Sequence, residues 1–147
     1  MNRLHVEAQG KTNALPQAVW RLVADADSYC RWGIWSESGW VGSGPASPGS
    51  PGSLRQMRYR RTTIVEQVLE VDGGTRMAYT VVRGIPVRNY KAEVTLTLDG
   101  SGTHVRWTAD WDDTYLGRIV HRKLSVLYPE IMRRLVAAAE QIPASAS

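Results

Sequence analysis

Hydrophobic and polar positions alternate almost without a break along residues 85–98. Tyr90, Ala92, Val94, Leu96 and Leu98 fall on one side, and Asn89, Lys91, Glu93, Thr95 and Thr97 on the other. A period of two is that of a β-strand with one dry and one wet face. The same pattern predicts strands over residues 3–9, 54–60, 62–71, 76–83 and 104–112, and Trp35 and Trp40 bracket a further short one. Turns at Asp72-Gly73-Gly74 and over residues 99–103 join them as antiparallel neighbours. Ala18, Val19, Leu22 and Val23 instead repeat at helical spacing, behind Asn13 as candidate N-cap and Pro16 in the first turn. Residues 25–32 predict a second short helix, capped by Asp25 or Asp27. Residues 42–53 are nearly all Gly, Pro and Ser and predict a flexible loop. A long C-terminal helix carries Leu116, Val120, Leu124, Leu127, Ile131 and Leu135. Pro129 should kink or split it near Leu127, and residues 143–147 should fray.

The predicted class is α+β: one strand, two short helices, about six antiparallel strands and a long helix in one domain over residues 1–147. Seven strands at about 4.8 Å spacing span roughly 30 Å. An α-helix is only about 10 Å across. The sheet must therefore curl around the helix, and curling leaves a trough that side chains or a ligand can fill. Parity puts Arg55, Met57, Tyr59, Ile64, Glu66, Val68, Tyr79, Val81, Tyr90, Ala92, Val94, Val105, Trp107, Ala109 and Trp111 on the concave face. Two of these are charged. A charge buried without a partner is costly. Glu66 and Arg55 therefore either border a hydrated pocket, pair with each other, or are turned outward by a bulge.

Composition changes the picture in a few places. The chain has six Trp, six Tyr and no Phe, so its large side chains carry polar handles suited to an amphipathic ligand. The net charge is +4, mostly from scattered arginines with no run of like charges, which argues against nucleic acid as partner. Cys30 stands alone, so no internal disulfide is expected and a reducing, cytoplasmic setting is. No apolar stretch approaches the roughly 20 residues that span a bilayer, so no stable membrane insertion is expected.

The order of these segments resembles the START/SRPBCC superfamily, with its helix-grip fold. The likeness rests on AVWRLVADADSYCRW, TTIVEQVLEVD, AYTVVRGIPVRNYKAEVTL, GTHVRWTADW and the closing helix. It implies an apolar cavity with Glu66 pointing inward and Tyr90 and Ala92 on its wall. Trp107 falls where the superfamily's plant hormone receptors carry a polar residue, which implies a more apolar ligand. The short Arg60-Arg61-Thr62 connection leaves no room for those receptors' gate loop. Residues 42–53 and 83–87 would be the mobile elements instead.

The chain holds no nucleophile elbow, phosphate loop or metal-ligand spacing, so no metal or cofactor is expected. His5 and His104 should face water. The resemblance points to polyketide cyclase or dehydratase-like chemistry, which needs a base for an acidic α-proton and donors for the ketone. The candidate catalytic residues are Glu66, Tyr90 and Arg55. The candidate ligand-binding residues are Met57, Tyr59, Tyr79, Val81, Ala92, Val94, Trp107, Trp111, His121 and Leu124. The expected partner is a hydrophobic small molecule or polyketide-like substrate, taken by a monomer or homodimer. The alternative is a non-catalytic carrier or sensor using the same cavity.

Overall fold

A computed structural model describes residues 2–42 and 48–142. Residues 43–47 of the predicted loop and the predicted frayed tail, 143–147, lie outside the described residues. The far end of that loop is anchored: Gly52 N–H donates to the Val68 carbonyl and Val68 N–H to the Ser53 carbonyl.

The elements run β1 (Arg3–Thr12), α1 (Pro16–Ala24), a 3₁₀ turn (Ala26–Ser28), α2 (Tyr29–Trp32), β2 (Glu37–Val41), β3 (Leu54–Tyr59), β4 (Thr62–Asp72), β5 (Arg76–Arg83), β6 (Lys91–Asp99), β7 (Gly102–Asp112) and α3 (Tyr115–Glu140). All strand pairs are antiparallel, in one open sheet of order β1-β7-β6-β5-β4-β3-β2. This is the α+β architecture expected from the pattern, in the helix-grip form that the resemblance implied.

The helix ends depart from expectation in two ways. Leu15, not Asn13, is the N-cap of α1, and it makes no side-chain cap. Pro16 follows at the first helical position, where its missing N–H costs nothing. Pro129 does not split α3, which continues for 26 residues. The carbonyl it leaves without an in-helix donor belongs to Ser125, and both residues are on the exposed face where water can serve it.

Val6 and Ala8 of β1, Met77 and Tyr79 of β5, Val94 and Leu96 of β6, and Val105, Trp107, Ala109 and Trp111 of β7 form the dry face, packed against Val19 and Val23 of α1 and Ile131 and Leu135 of α3. The long helix lies along β1, and Gly10 lets it approach. A Cβ there would sit 2.9 Å from Met132 and Val136. With α3 drawn to that edge, the strands further along the sheet are left partly uncovered. Two register shifts in β4–β5, at Val65/Glu66 and Val68/Glu70, break strict alternation. They leave Val82 and Leu69 exposed while Val65 and Glu66, adjacent in sequence, are both buried.

The β1–β7 edge carries a set of ion pairs with a pH signature. Arg106, Gln9 and His5 hydrogen-bond to Glu7 and hold its carboxyl down at about 2. Asp112 is held below the usual range by hydrogen bonds from Arg3 and Asn89. A depressed carboxyl stabilises the fold above its unfolded pKa and loses that contribution as pH falls through its folded one. Stability should therefore decline from about pH 4.5 towards 2. His5, raised mainly by its hydrogen bond to Asp110, contributes in the opposite sense, below about pH 6.5. Urea midpoints should fall from pH 4.5 to pH 2.5, and Arg106→Gln should flatten that acid limb.

Candidate functional site

Between α3 and the far half of the sheet lies a cavity of about 130 Å³. Its walls come from every region the topology brings to the trough. Met57 and Tyr59 of β3, Thr62, Ile64 and Glu66 of β4, Tyr79 of β5 and Trp107 of β7 form the sheet side. Val120, Lys123, Leu124, Leu127, Tyr128 and Ile131 of α3 form the helix side. Ile34 and Trp35 after α2 and Ile85 and Tyr90 before β6 close the ends. A cavity of about 150 Å³ lined by aliphatic side chains holds one benzene ring, so this space is of single-ring size.

Polar groups are few and specifically placed. Arg55 and Glu66 stand directly opposite each other in the β3–β4 register. Arg55 Nε donates to Glu66 Oε1 at 2.9 Å, and its Nη2 lies 2.9 Å from the same oxygen. Nη1 donates to the Tyr29 hydroxyl at 2.8 Å, and that hydroxyl donates to the Val23 carbonyl at 2.7 Å. The guanidinium also sits over two rings, 4.6 Å from the centroid of Tyr29 and 4.4 Å from that of Tyr79. Such cation–π contacts favour a desolvated arginine. Arg55 is 0% exposed and Glu66 6% exposed. Two of the sequence alternatives thus hold together: the charges pair, and Glu66 also faces the cavity.

Burial pushes the Glu66 carboxyl above its ordinary value, while the Arg55 charge and hydrogen bond oppose that rise. Burial also works against the Arg55 charge, but its surroundings more than offset this and keep it protonated. Neutralising Glu66 would strand a buried cation that cannot give up its proton. The pair is therefore ionised. Above it, three tyrosine hydroxyls line the cavity. Trp107 Nε1 donates to Tyr79 at 2.9 Å, and the hydroxyls of Tyr90 and Tyr128 are 3.3 Å apart. Burial drives all three well above their ordinary pKa, so they stay protonated donors. The site can accept a proton at one carboxylate and donate hydrogen bonds from several hydroxyls, in a mostly apolar enclosure.

Of the candidate catalytic residues, Glu66 and Tyr90 line the cavity; Arg55 does not, because it lies behind Glu66, wedged between the Tyr29 and Tyr79 rings. Among the candidate ligand-binding residues, Met57, Tyr59, Tyr79, Trp107 and Leu124 line it. Val81, Ala92, Val94, Trp111 and His121 do not. Ala92 and Val94 are fully buried in the sheet's packing. Trp111 is consumed by structure, stacking on Tyr90 at 5.6 Å and donating from Nε1 to the Gly117 carbonyl. The His121 ring is turned to the β1 edge, where Nε2 donates to the His5 carbonyl at 2.9 Å. The sequence reading missed Trp35, Ile85, Lys123 and Tyr128 as wall residues. Tyr128 does stand in the apolar stripe of α3, beside Leu124 and Ile131, which was its available signal. Trp35 brackets a short predicted strand and Ile85 opens the 85–98 alternation on the side that parity gives to water, so neither was marked as a wall residue.

The sequence profile of the family described as polyketide cyclase / dehydrase and lipid transport matches residues 3–140. Among curated proteins, none matches the chain. Solved structures similar in fold include the protein XoxI from Bacillus cereus, at a TM-score of 0.75 and 18% identity over 93% of this chain and 96% of that one. A Thermobifida fusca protein is similar at a TM-score of 0.70 and 25% identity, covering 92% and 89% of the two chains. Ara h 8.0201 is similar at a TM-score of 0.71 and 14% identity, covering 94% and 98%.

Proposed function

The chain belongs to the polyketide cyclase / dehydrase and lipid transport family, and from that premise we propose that it binds a compact hydrophobic or aromatic molecule and acts on it as a cyclase or dehydratase-like enzyme. One observation carries the reading: an ionised carboxylate, Glu66, faces an apolar cavity that also presents protonated hydroxyls from Tyr79, Tyr90 and Tyr128. Glu66 would remove a proton from a carbon flanked by carbonyls, the tyrosines donating to the enolate oxygen. The enolate carbon would then attack a ketone held beside it, forming the new carbon–carbon bond. Glu66 would return its proton to the resulting alkoxide. A second removal at the same carbon, with that proton leaving on the hydroxyl as water, gives the double bond. Holding the two carbons in contact supplies much of the acceleration. Arg55 does not touch the substrate in this scheme; it is a positioning residue that keeps Glu66 anionic.

The second reading is a carrier or sensor without turnover. It is favoured by how thoroughly the polar groups already satisfy one another, since Glu66 Oε1 is engaged by Arg55 and Tyr90 meets Tyr128. Under either reading the protein works as a cytoplasmic monomer or homodimer without nucleic acid. Several arginines away from the cavity support the last point by being spent on carboxylates: Arg76 on Glu70, Asp72 and Glu93, Arg106 on Glu7, and Arg133 and Arg134 on Glu130. No helix among the described residues is long and apolar enough to cross a membrane.

Native mass spectrometry of freshly purified protein tests the binding half: a retained apolar small molecule is the expected result. Leu124→Trp should fill the cavity from the half-buried helix side, with little change in thermal midpoint and at least a tenfold loss of that adduct. An adduct undiminished in Leu124→Trp would place the ligand elsewhere.

A further inference from the structure

The Tyr59 ring, on the half-buried edge of the cavity wall, has two cations beside it that make no ion pair among the described residues. Lys123 is a wall residue on the exposed side of α3, and its Nζ lies 5.5 Å from the centre of the Tyr59 ring. The Arg60 guanidinium lies 5.5 Å from the same ring. Among the described residues neither makes an ion pair with a carboxylate. The cavity's own carboxylate, Glu66, is at the buried end and committed to Arg55. Arg60 is also held in an unusual conformation, with φ at 55° in the two-residue turn from β3 to β4. Glycine or asparagine is the ordinary occupant of such a position, and an arginine there keeps a charged side chain beside the Tyr59 ring against a local steric preference.

Extending the reading of the cavity as a ligand site, we infer that the ligand is an amphipathic acid. Its apolar ring occupies the 130 Å³ space and its carboxylate sits at the exposed edge of the wall beside Tyr59, drawn there by Lys123 and Arg60. The arrangement fixes which end enters. A carboxylate driven inward would meet Glu66, a like charge in a poorly screened site. At the Tyr59 edge it meets two cations and stays partly hydrated. Lys123 and Arg60 thus select for charge and orientation, and the apolar wall selects for size.

The test uses 4-methylbenzoate and 4-methylbenzamide, which share ring and methyl group and differ in charge. Binding is followed by NMR chemical-shift titration at low salt. The benzoate should bind roughly fivefold more tightly, the scale of an exposed ion pair. Lys123→Gln and Arg60→Gly should each lower the ratio of benzoate to benzamide affinity, and added salt should lower it as well. Both positions are exposed, and Arg60→Gly relaxes the left-handed backbone, so neither variant threatens folding. Equal binding of the two probes, or a preference that survives in both variants, overturns the inference while leaving the cavity reading intact. If neither probe shifts the cavity residues, the cavity reading itself fails.

Discussion

Replacing Arg55 with Met should destabilise the protein by about 3 kcal/mol, and replacing Glu66 with Leu should cost more, towards about 5 kcal/mol, whereas the double variant should recover most of the loss. The order follows from which charge is left behind. Without Arg55, Glu66 retains an escape: it lines the cavity, and burial already favours its neutral form, so it can take up a proton. Without Glu66, Arg55 has none, because a guanidinium does not deprotonate in a protein. It would remain 0% exposed between Tyr29 and Tyr79, with ring contacts and the Tyr29 hydroxyl as its only compensation among the described residues. Removing both charges together leaves two apolar side chains of similar length side by side across the β3–β4 register. Buried pairs replaced in that way are often neutral in stability or better. Chemical denaturation of the three variants at neutral pH checks the ordering. A double variant as unstable as Glu66→Leu would mean that the pair contributes packing rather than charge compensation.

A double variant that is stable but inert would show why the pair is present at all. A buried ion pair is weak evidence of stabilisation, since well-packed apolar groups do as well. Its value here is that the cavity wall keeps a carboxylate ionised where solvent cannot. The same economy explains the rings around Arg55. Tyr29 comes from α2 and Tyr79 from β5, so the guanidinium ties the helical cover to the sheet directly behind the site.

The alternation along Tyr90, Ala92, Val94 and Leu96 and the helical stripe of α3 made the trough legible from sequence, because each reports a face and the faces must meet. Parity likewise put Arg55 and Glu66 on one side, and their direct opposition in the sheet follows from the two-residue turn at Arg60-Arg61. Parity could not say which concave residues reach open space. Ala92 and Val94 share Tyr90's side but are fully buried within the sheet, because where the helix lies along the sheet decides what is covered. That placement depends on Gly10, a residue with no hydrophobic signal. Trp35 and Ile85 reach the wall from connections outside the strands, and the patterns they stood in, the edge of a short predicted strand and the start of the 85–98 alternation, did not point either one inward. The bulges in β4–β5 were foreseeable as a kind of event but not by position, since nothing in the alternation of TTIVEQVLE distinguishes a bulged pair from a regular one.

Glu66→Gln should lower turnover of a cyclising substrate by about 10²–10⁴-fold, the usual range for losing a positioned acid–base group. Substrate affinity should change by less than about tenfold, because glutamine keeps the shape of the wall and the apolar contacts that dominate binding. Its amide oxygen can still accept from Arg55, but it cannot take the α-proton. Some loss of stability accompanies the change, since the Arg55 charge is no longer balanced, so turnover must be compared below the variant's unfolding transition. The pH profile separates a base from a merely structural carboxylate. A base acts only when ionised, and burial raises Glu66 above its ordinary value of 4.5, so the acid limb of the rate should lie above the ordinary glutamate range. Arg55 opposes that rise; Arg55→Met should therefore move the limb further towards neutral pH while leaving the plateau rate less affected. Turnover in Glu66→Gln equal to that of the native protein would remove Glu66 as the base and favour the carrier reading. A limb that stays in place in Arg55→Met would break the proposed link between the ion pair and the reactive carboxylate, because the charge 2.9 Å from Oε1 cannot leave without changing that carboxylate's affinity for a proton.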